Sequence, residues 1–200
     1  MDNLQQLQSL DLETKIMKTK QRIREWYYNF GGQVYVAFSG GKDSTVLLDL
    51  VRSEFPKVPA VFVNTGLEYP EILEFIKTIE NVTWLKPKMD FKSVIDKYGY
   101  PIISKQTAMA ISRYKNTKHE HQKELRLWGG MNNNTGKMQK MGVIPQKFHP
   151  IAHNPEIKVS EKCCDIMKKN PVKIYEKETG RSGFVGMMAN ENCKCNIKLR

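Results

Sequence analysis

Short apolar runs alternate with amphipathic segments through the first half of the chain. Residues 34–38 lie between two glycine pairs and alternate in the manner of a short buried strand. Apolar side chains then recur at helical spacing over residues 46–50, so we expect a helix to begin near Asp43. The apolar runs 60–63 and 82–85 predict two further strands.

Helical periodicity and turn residues complete the predicted element order. We expect helices over residues 12–29, 70–79, 91–98, 105–114 and about 119–128, and a last strand over Gly183–Met187. Residues 129–136 are expected to be a flexible segment. Strands that alternate with helices of this length predict βαβ units. The predicted fold class is therefore α/β, a parallel sheet with helices on both faces.

The turn between the first predicted strand and its helix has a composition that suits a ligand. Its residues are Ser39, Gly40, Gly41, Lys42, Asp43 and Ser44. A glycine-rich turn before a helix aims free backbone N–H groups at one point with the helix dipole behind them, which suits a phosphate or pyrophosphate. The serines add hydroxyl donors, Lys42 adds a positive charge, and Asp43 can cap the helix or hold Mg²⁺. The alternative is an ordinary tight turn, and the spacing does not fit a Walker A loop.

Three segments resemble a known family. The hexapeptide SGGKDS resembles the PP-loop of the ATP pyrophosphatases and of the phosphoadenosine phosphosulfate (PAPS) reductase family, which share an adenine-nucleotide-binding α/β fold. The segment NTGLEYPE, which follows the second predicted strand, is similar to one in PAPS-reductase-like proteins. The resemblance implies that Asn64, Thr65 and Gly66 lie against the nucleotide. The third segment, PIISK, is similar to a Pro-x-x-Ser-Lys element that precedes a helix in this family. This similarity implies that Ser104 and Lys105 contact substrate phosphate or sulfate, although by themselves they are typical of an N-cap and a surface residue.

The first two segments are expected to face one cleft, because ligands of parallel sheets bind beyond the carboxyl ends of the strands. Residues 1–30 are expected to form a helix packed on the core, and 31–200 a PP-loop nucleotide-binding domain. Within that domain we expect a flexible loop region at 116–147 and a cysteine-containing part at 160–200.

The net charge of +11 is unevenly distributed along the chain. Residues 1–100 carry 13 basic and 13 acidic side chains, whereas residues 101–200 carry 19 and 8. A basic half favours a polyanionic nucleotide or a nucleic acid, such as tRNA or DNA, as its partner; the alternative is a solvated lysine-rich surface. The sequence contains no signal-peptide pattern and no long apolar run, which predicts a soluble cytoplasmic protein without membrane contact.

Four cysteines form two close pairs, Cys163–Cys164 and Cys193–Cys195. Ser160 is expected to cap a helix whose first turn carries the first pair beside lysines, which favours thiolates that bind metal or act as nucleophiles. The first pair resembles the Cys-Cys element of adenylyl-sulfate reductases, which implies a [4Fe–4S] cluster on all four cysteines. Four thiolates also suit Zn²⁺, and the remaining alternative is inert, partly buried cysteines. His149 and His153 could supply ligands, but we expect them, like His119 and His121, to be solvated.

The resemblance implies an enzyme of sulfur metabolism, and the reaction has two candidates. The first is reduction of a sulfonucleotide, and the second is ATP-dependent adenylylation in a sulfurtransferase with Mg²⁺. The expected catalytic residues are Lys42, Asp43, Cys163 and Cys164. Glu191, after the last strand, is expected to be a nucleotide-binding residue. Relatives place serine and arginines where this chain has Asn192, Cys193 and Cys195, so the alternative is an accessory protein with a degenerate site that binds a nucleotide or nucleic acid.

Overall fold

The computed structural model describes residues 3–102, 104–132, 136–139 and 142–186, and these residues form two compact units. The first unit combines the described residues up to Lys86 with those from Val172 onward, and the second spans Pro87–Pro171. Among the described residues, none of the helices is both long enough and apolar enough to cross a membrane.

The first unit is built on one parallel sheet. Its strands are β1 (Val34–Ala37), β2 (Ala60–Val63), β3 (Val82–Leu85) and β6 (Ser182–Val185), in the order β3-β2-β1-β6. Its helices are α1 (Asn3–Gln8), α2 (Leu12–Asn29), α3 (Lys42–Glu54), α4 (Pro70–Lys77) and the end of α10 (Asn170–Thr179). The α/β prediction is confirmed, because all four strands are parallel and helices connect them.

The core of the first unit sits between this sheet and the helices that flank it. The first three residues of the central strand β1 are buried, with Val34 and Val36 inaccessible to solvent. Ile23 of α2 and Leu48 of α3 pack into the same cluster. This packing fixes the carboxyl ends of β1 and β2, where the candidate site lies.

The second unit is mainly helical. Its elements are α5 (Phe91–Tyr98), α6 (Lys105–Asn116), α7 (Glu120–Trp128), the hairpin strands β4 (Gly130–Asn132) and β5 (Lys137–Gln139), a 3₁₀ turn (Gln146–Phe148), α8 (His149–His153), α9 (Lys162–Cys164) and a π-helical segment (Asp165–Lys169) that leads into α10. Its core forms around Ala108 and Ile111 of α6, together with Ile144 and Val159.

Three local expectations need correction. The helix that carries the cysteine pair is capped by Glu161 and begins at Lys162, although Ser160 Oγ does accept a hydrogen bond from the Lys162 N–H. The last strand ends at Val185 rather than Met187, which lies outside the described residues. His149 is not solvated: it is buried, its Nε2 lies 3.0 Å from the Ile144 carbonyl oxygen, and the Trp128 ring packs edge-on against it.

A buried hydrogen bond ties β1 to α10. The Tyr35 hydroxyl donates to Glu176 Oε1 at 2.8 Å, and Tyr35 is 1% exposed. Burial, and then the bond to Glu176, raises the pKa of Tyr35 well above its usual value. Since the folded pKa is raised, the stability that this group contributes is complete below the unfolded pKa of about 10 and is lost as pH rises beyond it.

We therefore expect Tyr35→Phe to remove part of the alkaline sensitivity of the protein. At pH 7 the variant should lose about 1 kcal/mol, because Glu176 loses its partner. Urea denaturation of both proteins at pH 7 and at about pH 10.5 should show the difference between them shrinking at the higher pH. A difference that stays constant between the two pH values would contradict this assignment.

Candidate active site

The turn after β1 is held together by its two serines. Ser44 is 7% exposed, its Oγ donates to the Gly41 carbonyl oxygen at 2.8 Å, and it accepts from the Ser39 N–H at 3.2 Å. The two hydroxyl oxygens lie 3.1 Å apart. Because a hydroxyl has one hydrogen and Ser44 gives it to Gly41, Ser39 must be the donor between them. Ser44 therefore braces the loop from inside.

Lys42 and Asp43 begin α3 and are exposed. Among the described residues, neither side chain has an ion pair or hydrogen bond. The N-cap of α3 is Gly41, which has no side chain to satisfy the first-turn N–H groups, so these donors are available to an anion together with the helix dipole. The loop thus presents a free ammonium, a free carboxylate and free backbone donors on a braced backbone.

Gly40 allows this loop to lie against α4. Its φ is +74°, and a Cβ built there would lie 2.8 Å from Ile72 Cγ2 and 3.1 Å from Ile76 Cδ1. A larger residue would push the loop away from the helix, so the close approach and the left-handed backbone both require glycine. The packing of Gly40 against α4 therefore fixes the position of the loop.

Hydrogen bonds to Glu68 hold the conformation of the loop after β2. The Glu68 carboxylate accepts from the Thr65 N–H at 3.0 Å, from Thr65 Oγ1 at 2.7 Å and from the Leu67 N–H at 3.2 Å. Burial raises the pKa of Glu68, but these hydrogen bonds together outweigh it, so its net pKa lies below the usual value. Asn64 Oδ1 accepts from the Gly66 N–H at 2.9 Å. Glu68 shapes the loop that carries Asn64, Thr65 and Gly66, a role that the sequence motif alone did not assign.

A third segment reaches this edge of the first unit. Gly186, directly after β6, approaches the start of α3 so closely that a Cβ there would lie 3.0 Å from the Asp43 carbonyl oxygen. No sequence motif marks Gly186, since only the pairing of β6 with β1 brings it here. Glu191, Cys193 and Cys195 follow it in the chain and lie outside the described residues, as do Asn192 and Ile103.

The second unit brings together Lys105 and the segment that follows the cysteine pair. Ser104 caps α6 and its Oγ accepts from the Thr107 N–H at 3.1 Å, as an N-cap should. Lys169 pairs with Asp165 at 2.8 Å, and this ion pair raises the pKa of Lys169. The Lys105 side chain lies close to Lys169, in the segment that follows the cysteine pair.

Cys163 and Cys164 occupy the short α9 and are partly exposed free thiols. The helix changes to π-helical winding immediately after them, where the Asn170 N–H donates to the Asp165 carbonyl five residues earlier. Pro171 explains the change, because it has no N–H for the Met167 carbonyl to accept from. π-Helical turns often occur at functional sites. Among the described residues there is no cluster of three or more metal-ligating side chains.

The sheet and its loops define the class of this protein. A parallel sheet carries a glycine-rich, lysine-containing loop at the end of β1 and a second polar loop at the end of β2. β1 lies between β2 and β6 in this sheet. This is the arrangement of an α/β protein of the PP-loop superfamily. Residues 33–193 match the family model described as the phosphoadenosine phosphosulfate reductase domain, and the chain belongs to this family.

Individual relatives match shorter stretches. A phosphoadenosine 5'-phosphosulfate reductase of Photobacterium profundum is 35% identical over 75 residues, which cover 38% of this chain and 30% of that protein. An adenosine 5'-phosphosulfate reductase 2 of Bacillus subtilis is 29% identical over 84 residues, 38% of this chain and 36% of that protein. An uncharacterised protein of Methanocaldococcus jannaschii is 36% identical over 84 residues, 40% of this chain and 18% of that protein. The matched segments thus span about a third or less of these relatives.

Proposed function

We propose that this protein binds an adenine nucleotide at Ser39–Ser44 and reduces a sulfonucleotide, either adenylyl sulfate (APS) or PAPS. The observation that carries the proposal is the braced loop at the start of α3, whose exposed Lys42 and Asp43 have no partner among the described residues. Relatives named as reductases of both sulfonucleotides support the substrate class.

The proposed chemistry is thiol attack on sulfur. A thiolate attacks the sulfate sulfur, a sulfur–sulfur bond forms, and the bond from sulfur to the phosphate oxygen breaks to release AMP or its 3'-phosphorylated form. A dithiol reductant then displaces sulfite and is oxidised to a disulfide. Lys42 and the loop N–H groups would stabilise the charge that develops on the departing phosphate. Cys163 and Cys164 are the proposed source of the thiolate.

The same cysteines are candidate ligands of a cofactor. Cys163 and Cys164, with Cys193 and Cys195, would hold a [4Fe–4S] cluster through four thiolates, and the cluster would supply electron-transfer chemistry; Zn²⁺ is the alternative for four thiolates. Two adjacent, partly exposed thiols suit either group as half of a ligand set. Ligation of all four would leave attack to a thiol of another molecule. Iron, sulfide and zinc contents of anaerobically purified protein decide between these uses.

A second candidate reaction uses the same loop differently. In ATP-dependent adenylylation, the loop would hold pyrophosphate as the leaving group, with Mg²⁺ bound by Asp43. The free carboxylate of Asp43 at the loop favours this reading. Sulfite release from APS or PAPS with a dithiol would support the reductase, and pyrophosphate release from ATP the adenylylating enzyme. Nucleotide binding without either product would identify a nucleotide-binding accessory protein.

We expect Asp43→Ala combined with Ser44→Ala to weaken nucleotide binding at least tenfold, which is about 1.4 kcal/mol. The change removes the carboxylate that is proposed to hold Mg²⁺ and the hydroxyl brace that fixes the Gly41 carbonyl. Calorimetric titration with ATP, APS and PAPS measures the effect. The matched control is Asp49→Ala with Ser53→Ala, two exposed positions farther along α3, which should leave the affinity unchanged. Equal affinity in the wild type and the Asp43/Ser44 variant would refute the assigned site.

A further inference from the structure

Two open pockets in the second unit meet at Asn116. The first has a volume of about 270 Å³ and is lined by Lys97, Lys115, Lys158 and Lys162 among others. The second has a volume of about 330 Å³ and is lined by Arg113 and Arg126 among others. We call the six basic residues and Asn116 the basic track. Within the part of the chain that the structure describes, no carboxylate lines either pocket.

The positive charges of the basic track are not neutralised by neighbouring acids. The second unit's ion pairs join Lys123 to Glu120 and Lys169 to Asp165, and across the described ranges none of the six basic residues makes one. Burial, and then the charge of Arg113, lowers the pKa of Arg126. Such like-charge crowding is unfavourable in the free protein and is relieved when an anion binds.

The backbone around the track is held firmly. Tyr100 N–H donates to the Lys158 carbonyl at 3.0 Å, and Ser160 N–H donates to the Tyr100 carbonyl at 3.1 Å. Lys115 Nζ donates to the carbonyl oxygens of Asn154 and Ile157, which fixes the segment between α8 and that pairing. Lys115 therefore has a structural role in this backbone.

One aromatic ring positions two of the ammonium groups. Lys97 Nζ lies 5.4 Å and Lys162 Nζ 5.0 Å from the centroid of the Tyr98 ring. Cation–π attraction of this kind offsets part of the repulsion between the two charges. Lys97, Lys162 and the Tyr98 ring all line the first pocket.

The basic track is separate from the Ser104/Lys105 element. Lys105 begins α6, whereas Arg113, Lys115 and Asn116 lie at its other end. At 1.5 Å per residue, ten residues of α helix span about 15 Å. The track therefore lies at the end of α6 that is remote from Lys105.

We propose that the basic track binds the phosphate backbone of a nucleic acid. Two features favour a polymer over a small anion. The charges extend through two joined pockets, and Lys97, Lys158, Lys162 and Arg113 are exposed rather than enclosed. Backbone phosphates recur along a strand and are contacted by such flexible, exposed cations without base readout. The proposal goes beyond the proposed enzymatic function and does not depend on it.

The test is fluorescence anisotropy with a labelled single-stranded DNA, the matching duplex and a folded tRNA. Affinity for at least one of them should fall log-linearly with salt from about 50 to about 250 mM. Replacing Lys158 and Lys162 together by glutamine should reduce the salt slope by about 2, one for each lost phosphate contact. At the lowest salt the same variant should bind about tenfold more weakly. The three probes distinguish DNA from RNA and single from double strands.

The control is Lys88→Gln with Lys92→Gln, which removes the same charge from exposed positions of the same unit outside the track. It should keep most of the affinity, and near-ultraviolet circular dichroism should confirm that both variants are folded. If the two variants lost the same affinity for nucleic acid, the binding would depend only on the overall positive charge of the unit, and the proposal would be overturned. Absence of binding at low salt would overturn the proposal as well. So would complete displacement of the nucleic acid by inorganic pyrophosphate at a concentration similar to that of the phosphates in the nucleic acid.

Discussion

Replacement of Gly99 by alanine should destabilise the second unit by about 3 kcal/mol or more. Gly99 has a φ of +102°, and a Cβ built there would lie 2.3 Å from the backbone carbon of Lys158 and 2.4 Å from its oxygen. Neither atom can move without breaking the pairing of Tyr100 with Lys158 and Ser160. Strain and overlap therefore act together, and both act against backbone rather than a flexible side chain.

Hydrogen exchange gives a local measurement of this effect. In the Gly99→Ala variant the amides of Tyr100 and Ser160, which form the pairing, should lose most of their protection. Gly136→Ala is the matched control: Gly136 has a φ of +62°, but nothing lies within 4 Å of its Cβ position. The control isolates the strain of a positive φ, about 1 kcal/mol. If both variants lost the same stability, the close contact with Lys158 would not matter.

Replacement of Gly40 by alanine should weaken nucleotide binding about a hundredfold, or about 2.7 kcal/mol. The new Cβ would lie 2.8 Å from Ile72 Cγ2 and 3.1 Å from Ile76 Cδ1, and we expect the loop to relieve this crowding by moving away from α4. Movement of the loop separates the donors that the Ser39–Ser44 brace now aims at one point. Calorimetric titration with the nucleotide that binds the wild-type protein provides the measurement.

Gly41→Ala provides the comparison at the adjacent residue. Gly41 has a φ of −81°, and its Cβ position lies 3.4 Å from Ser39 Oγ, which is ordinary contact. This variant should bind nucleotide within a few fold of the wild type, since alanine at an N-cap costs only about 1 kcal/mol of helix stability. Nearly wild-type affinity in the Gly40 variant would show that the loop tolerates displacement and would weaken the case for a preformed site.

The sequence predicted the first unit well because each of its elements carries a local signal. The alternation in 34–37, the apolar run 60–63 and the Pro70 helix entry all specify structure within a few residues. The loop after β1 could also be found from its residues. Its rigidity could not, since the contacts of Gly40 with Ile72 and of Gly186 with Asp43 depend on segments distant in sequence.

The second unit was predicted less completely for a different reason. Residues 129–139 are rich in Gly, Asn and Lys, so they have the composition of a loop, yet β4 and β5 pair through backbone hydrogen bonds that need no apolar alternation. His149 becomes buried only because Trp128 and Ile144 cover it. The expected domain division into residues 1–30 and 31–200, the ligand contacts and the four-cysteine site stay predictions.

The order of strands in the sheet has a consequence for synthesis of the chain. β1 is central and needs β6 on its free side, but β6 is made only after the whole of the second unit; Arg181, at its start, bonds the Val34 carbonyl across 147 positions. Until then, the nascent chain carries an apolar strand with an open edge, the feature that invites pairing with other chains. Ribosome-bound chains that end before residue 182 should therefore be the aggregation-prone species and the ones that engage chaperones.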